Sequence, residues 1–111
     1  MISNFQYLKI RVTIHDKLPD IILHNQAKNW LYLIETVTSH GPVSHKRRFE
    51  LEKLLKEYGC TAKRSYISAF LDLAEFRRHI SHIAWETEVW IAEISEHMIH
   101  FNGERYLGPY E

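Results

Sequence analysis

Apolar residues at Leu8, Ile10, Val12 and Ile14 alternate with Tyr7, Lys9, Arg11 and Thr13. That period of two, rich in β-branched side chains, predicts a half-buried strand. Residues 15–20 contain Pro19 and read as a turn. Ile21, Ile22 and Leu23 have two readings. They form either a short returning strand ahead of an Asn25 N-cap, or the first turn of a helix opened at Pro19 and Asp20. From Ala27 the period changes. Ala27, Trp30, Leu31, Ile34 and Val37 recur at three- and four-residue spacings, which predicts a helix with one buried face. Gly41 and Pro42 would end it, since glycine caps a helix cheaply and proline cannot continue one.

Ser44 is placed to cap a second helix running to Tyr58, with Phe49, Leu51, Leu54, Leu55 and Tyr58 as its apolar positions and Gly59 as its stop. Thr61 can cap a third, carrying Tyr66, Ile67, Phe70, Leu71, Leu73, Ala74 and Phe76. No glycine or proline follows until Gly103. A single helix over 62–101 would be about 60 Å long at its fixed rise per residue, too long for a chain of this size, so a break is expected at the polar cluster 79–82. Beyond it, Ala84, Thr87, Ile91, Ile94, Met98 and Phe101 form a heptad-like seam, while Trp85, Val89, Ala92 and Ile99 project from another side. Asn102 and Gly103 are either the C-cap of that helix or a two-residue hairpin turn. The expected fold is therefore α+β and predominantly α: an N-terminal strand or hairpin, then about four helices, the last of them long. At 111 residues the chain is read as a single domain, 1–111.

Composition narrows the setting. Apolar residues make up 45% of the chain and aromatic residues 13%, enough for one real core. The single cysteine, Cys60, cannot form an internal disulfide, which suits a reducing compartment. No apolar run reaches membrane-spanning length and the N-terminus is no signal peptide, so a cytoplasmic protein with no membrane partner is expected. Net charge is zero, which argues against a general electrostatic binder of nucleic acid. The charge is segregated, however: residues 43–79 carry nine basic and five acidic groups, and residues 80–111 one basic and six acidic.

The basic middle holds the first candidate site. His45, Lys46, Arg47 and Arg48 open the second helix, and Lys63 and Arg64 open the third. Helix, glycine turn and helix in that order resemble a helix-turn-helix, whose second helix offers its first side chains to the major groove. Basic residues there would meet phosphates or guanine edges. A second candidate is Arg77 followed five residues later by His82. This spacing resembles the active motif of the HEPN family of helical-bundle ribonucleases. The resemblance implies that Arg77 would hold the scissile RNA phosphate and that His82 would act as general acid or base. Arg78 stands where that family usually has a small polar residue.

A third set, His82, Glu86, Glu93, His97 and His100, would fall on one side of the last helix. Such side chains can ligate zinc or iron. The Glu-x-x-His and His-Glu-x-x-His signatures are absent, and Glu93–His97 and Glu96–His100 are helix-stabilising pairs, so no metal and no cofactor is expected. Cys60 could be a nucleophile if a helix start favoured its thiolate. There is no glycine-rich phosphate loop and no nucleophile elbow.

These readings combine into a small non-enzymatic binding or regulatory protein that contacts nucleic acid, or a protein that handles it, through the basic helix-turn-helix-like corner. The question of enzymatic activity stays open and leans against it. The alternatives are a HEPN-like ribonuclease using Arg77 and His82, and a protein-interaction module, inhibitor or adaptor, using Trp85, Val89 and Ile99. A strand must pair. The partners on offer for residues 8–14 are residues 21–23, residues 105–110, or the same strand in a second copy, and the last makes a homodimer the expected form.

Overall fold

The computed structural model describes residues 18–38 and 41–101, and they form a five-stranded mixed sheet with two helices. The elements, in chain order, are β1 (Ile21–Asn25), β2 (Trp30–Thr36), α1 (His45–Glu57), β3 (Lys63–Phe70), α2 (Leu73–His79), β4 (Thr87–Ile91) and β5 (Met98–Phe101). The strands lie in the order in which they occur along the chain. β1 and β2 form an antiparallel hairpin, β2–β3 and β3–β4 are parallel, and β4–β5 are antiparallel. Parallel neighbours need a crossover. α1 supplies the first, and α2 with a 3-10 turn (Ile80–His82) supplies the second.

This is an α/β fold, and it corrects the expected predominantly α chain of about four helices. The helix expected from Ala27 to Val37 is the turn and second arm of a hairpin. Asn25 accepts a hydrogen bond from the Lys28 amide at 3.2 Å, and Asn29 takes the left-handed conformation at φ 54°, so the chain reverses over four residues. The third expected helix is β3 followed by α2. The long C-terminal helix is β4, a 3-10 turn (Ala92–Ile94) and β5. The break expected at residues 79–82 coincides with the first 3-10 turn. Of the two readings for residues 21–23, the strand is the one observed. The strand expected at residues 8–14, its possible partner at 105–110 and the Asn102–Gly103 turn lie outside the described residues.

α1 forms where the sequence places it. The Ser44 hydroxyl accepts from the Arg47 amide at 3.1 Å, and Gly59, at φ 69°, closes the helix while the Gly59 and Cys60 amides bond back to Lys56 and Leu55. Its Leu51 and Leu55 pack with Ile22, Leu31, Leu33, Val43, Ala62 and Tyr66 on one face of the sheet. Further along the same face, Val37, Phe70, Val89 and Ile91 pack with Ile83, and Phe76 of α2 meets Phe70 edge-on at 5.6 Å. On the other face Ile21, Trp30 and Met98 remain exposed. Among the described residues no helix is long and apolar enough to cross a membrane.

Candidate active site

The inward row of β2 runs Leu31, Leu33, Glu35 and continues just past the strand's end to Val37, and all four are buried. Glu35 is thus a carboxylate at a core position, and a charge that leaves water needs a partner. Arg47, in the first turn of α1, provides one: its Nη2 lies 2.9 Å from Glu35 Oε1 and also donates to the Leu18 carbonyl at 3.1 Å. Across the hairpin, Ile21 pairs with Ile34, so the next step of the register sets Asp20 opposite Glu35. Asp20 Oδ2 accepts from both the amide and the hydroxyl of Thr36, each at 2.8 Å. On the third side Glu35 is in register with Ser68 of β3, which is fully buried. Ser68 Oγ accepts from the Val43 amide at 2.9 Å, and the Val43 carbonyl accepts from Ala84 at 3.0 Å. This strap holds the segment leading into α1 against the sheet.

The row Asp20–Glu35–Ser68 therefore lies where β2 ends and α1 begins. In open α/β sheets, ligands bind in the crevice outside the carboxyl ends of the strands. Carboxylates directly opposite each other are destabilising unless something offsets them. The Thr36 donors and Arg47 do so in part: among the described residues the cluster sets two carboxylates against one guanidinium. Each carboxylate has one oxygen taken up by the contacts just given. Two carboxylates with oxygen to spare suit a hard divalent cation that keeps much of its water, as magnesium does, and which is commonly held by one or two carboxylates plus a substrate phosphate. Among the described residues no three His, Cys, Asp or Glu side chains come together as an all-protein metal cage.

The structure separates the residues expected to form one basic corner. His45 and Lys46 are exposed on the first turn of α1, and Arg47 turns to Glu35. Arg48 lies over the Tyr66 ring at 5.8 Å and 3.8 Å from Glu86. Arg64 pairs with Glu52 at 3.2 Å. Tyr66 donates its hydroxyl to the same Glu52, and burial together with that carboxylate pushes its pKa well above the ordinary tyrosine value. Arg48 and Arg64 thus meet around Tyr66 and Glu52, while Lys63, one residue from Arg64 on a strand, projects from the opposite face of the sheet.

Arg77 on α2 and His82 on the 3-10 turn are exposed. Trp85 is exposed, Val89 is fully buried, and Ile99 pairs with Val89 in the β4–β5 ladder, so these two serve the core. His82, Glu86, Glu93, His97 and His100 share no helix face: Glu93 accepts from the Leu73 amide at 3.1 Å, and His100 pairs with Glu88. Cys60 is a half-buried free thiol.

Asp20 and Glu35 were not among the residues singled out from the sequence. Their signal was a Pro-Asp pair at the mouth of one strand and an acid in the inward row of the next.

The family model of the BsuBI/PstI restriction endonuclease domain matches residues 2–104. The type II restriction enzyme BsuBI of Bacillus subtilis is 50% identical over 104 residues, which is 94% of this chain and 32% of that protein. The type II restriction enzyme AplI of Arthrospira platensis (strain NIES-39 / UTEX 3086 / IAM M-135) is 39% identical over 93 residues, 84% of this chain and 28% of that protein. The chain thus spans about a third of the length of these curated relatives. The solved structure of SdaI restriction endonuclease superposes with a TM-score of 0.77 at 35% identity, covering 96% of this chain and 33% of that one. The fold is accordingly restriction endonuclease-like. These findings overturn the expectation of a small helical, non-enzymatic regulatory protein with a helix-turn-helix-like corner. The helical-bundle ribonuclease and the inhibitor or adaptor fall with it, because the bundle is a sheet and the relatives are restriction enzymes.

Proposed function

This chain belongs to the BsuBI/PstI restriction endonuclease domain family, and from that premise we propose that it is the phosphodiester-cleaving part of a DNA endonuclease, with Asp20 and Glu35 at its active site. The observation that carries the proposal is the juxtaposition of the two carboxylates beside the N-terminus of α1, at the end of parallel strand β2. The pair would hold a divalent cation of the magnesium type. Such a cation supplies Lewis-acid polarisation of the phosphate and offsets charge as the transition state develops. The protein's own part is orientation. Thr36 fixes one oxygen of Asp20, the buried β2 row fixes Glu35, and Ser68 with Val43 fixes the helix that faces them. The N-terminus of α1, where the Arg47 amide is already bonded to Ser44, would favour an anionic ligand. His45 and Lys46 would meet the DNA backbone there, whereas Arg48 and Arg64 are engaged with Tyr66 and Glu52. A homodimer in the cytoplasm remains part of the proposal, and the mass of the chain in solution decides the first half of it.

Nicking of supercoiled plasmid in magnesium, together with manganese binding by calorimetry, tests the site. Asp20→Asn and Glu35→Gln are expected to lower manganese affinity at least tenfold, and to abolish nicking, while circular dichroism stays unchanged; a lost oxygen ligand of about 1.4 kcal/mol already gives that factor. Manganese binding and nicking that survive both substitutions refute the site.

A further inference from the structure

We propose that Arg47 is a charge switch: it holds Glu35 until a divalent cation arrives, then turns to the DNA phosphate at the same site. The inference rests on the carboxylate site proposed above and adds a role for its cation.

The guanidinium occupies ground shared by both arms of the hairpin. Its Nη2 contacts Glu35 on β2 and the Leu18 carbonyl, two residues ahead of Asp20. A divalent cation drawing on Glu35 would therefore approach a positive group only a few ångströms away, where repulsion between like charges is substantial even at a high effective dielectric. Glu35 cannot give its full charge to both. Arg47 also has somewhere to go. Its side chain is 21% exposed against 11% for Glu35, so it reaches solvent at the mouth of the crevice. It stands in the first turn of α1, where a phosphate would also be met by helix amides. The planar fork of an arginine is suited to bidentate phosphate contact. Arg48 is poorly placed for this role, because it lies over Tyr66 and beside Glu86. His45 and Lys46, by contrast, are exposed on the same turn.

The signature is an opposite movement of two affinities. Arg47→Met keeps most of the side chain's bulk and removes its charge. Manganese affinity, read by calorimetry on the 111-residue chain, is expected to rise roughly tenfold, the effect of removing one nearby positive charge in a partly exposed site. Affinity for a short DNA duplex, read in calcium so that the duplex stays intact, is expected to fall several-fold. An arginine that only braces the fold predicts the reverse for the metal: its loss would leave manganese binding weaker or unchanged, and that result overturns the proposal. Should Arg47→Met fail to fold, the unmutated chain still decides. The Arg47 Nε–H resonance, assigned by its loss in Arg47→Lys, is expected to shift and exchange faster as magnesium is added. A resonance that stays fixed while magnesium binds overturns the switch. The two readings separate cleanly. Manganese binding that needs Glu35 but does not tighten in Arg47→Met sinks the switch alone, and absence of binding in every form sinks the site and the switch together.

Discussion

Ser68→Ala removes one atom from the sheet, and its cost can be worked from the contacts around it. Ser68 is 0% exposed, and its hydroxyl accepts from the Val43 amide at 2.9 Å. Val43 is equally buried, so no water replaces the lost acceptor. The deletion leaves a buried N–H without a partner, a desolvation penalty of about 1–3 kcal/mol. The void is one oxygen in size and adds little. For a domain near 100 residues each kcal/mol corresponds to roughly 4–8 °C in Tm, so the midpoint is expected to fall by at least that much. Val43 is held from both sides, by Ser68 and by the Ala84 amide, and Ser44 follows as the cap of α1. The loss therefore falls where Arg47 is aimed at Glu35. Urea unfolding followed by tryptophan fluorescence measures the change, with an unchanged m-value as the sign that only stability moved. A loss below about 0.5 kcal/mol, within the range of an ordinary surface change, refutes the reasoning, because Val43 would then be satisfied without Ser68.

Two other expectations follow from the same face. Tyr66 has a raised pKa, from burial first and then from the Glu52 contact, so the folded chain keeps the phenolic proton at a pH where the unfolded chain releases it. Its contribution to stability is complete below the ordinary tyrosine value of about 10 and is lost as pH rises beyond it; Tyr66→Phe is expected to flatten that alkaline loss in urea midpoints, and an unchanged slope contradicts the assignment. Glu35→Leu combined with Arg47→Met replaces a largely buried ion pair with apolar groups of similar size, which is expected to leave stability unchanged or raise it by about 1–4 kcal/mol while abolishing manganese binding. A lower urea midpoint for the double variant would show that the pair braces the fold.

Much of α1 was legible because every local signal agreed: Ser44 as cap, Gly59 as stop and three leucines on one face. β1 was one of two readings for residues 21–23; the later strands were not legible, and the reason lies in particular side chains. Leu31 and Leu33 of β2, with Val37 just past its end, alternate cleanly inward, but the fourth member of that row is Glu35. With an acid in the row, the period of two is broken in sequence, and Trp30, Leu31, Ile34 and Val37 offer a helical spacing instead. β3 fails in the same way: Tyr66 and Phe70 point inward with Ser68 between them. Thr87 does this to β4, where it is fully buried and donates its hydroxyl to the Ala84 carbonyl. The turn into β4 adds a further obstacle, since Glu86 adopts a left-handed conformation at φ 64° with no glycine to announce it.

The inward polar residues are not scattered. Glu35 and Ser68 are register partners on adjacent strands, and they lie between the two apolar clusters that α1 and α2 cover. A continuous apolar core would have used leucine or valine at both places and would have read as strand at once. The sheet instead carries a polar row across its parallel centre, Glu35 held by Arg47 of α1 and Ser68 by the Val43 amide just ahead of that helix. Such a row costs stability and repays nothing in packing, which is the expected mark of a site retained for its chemistry. The residues that made β2 and β3 hard to recognise from sequence are thus the ones that locate the proposed active site, and an acid or serine interrupting an otherwise apolar alternation is better treated as a strand with a function than as evidence for a helix.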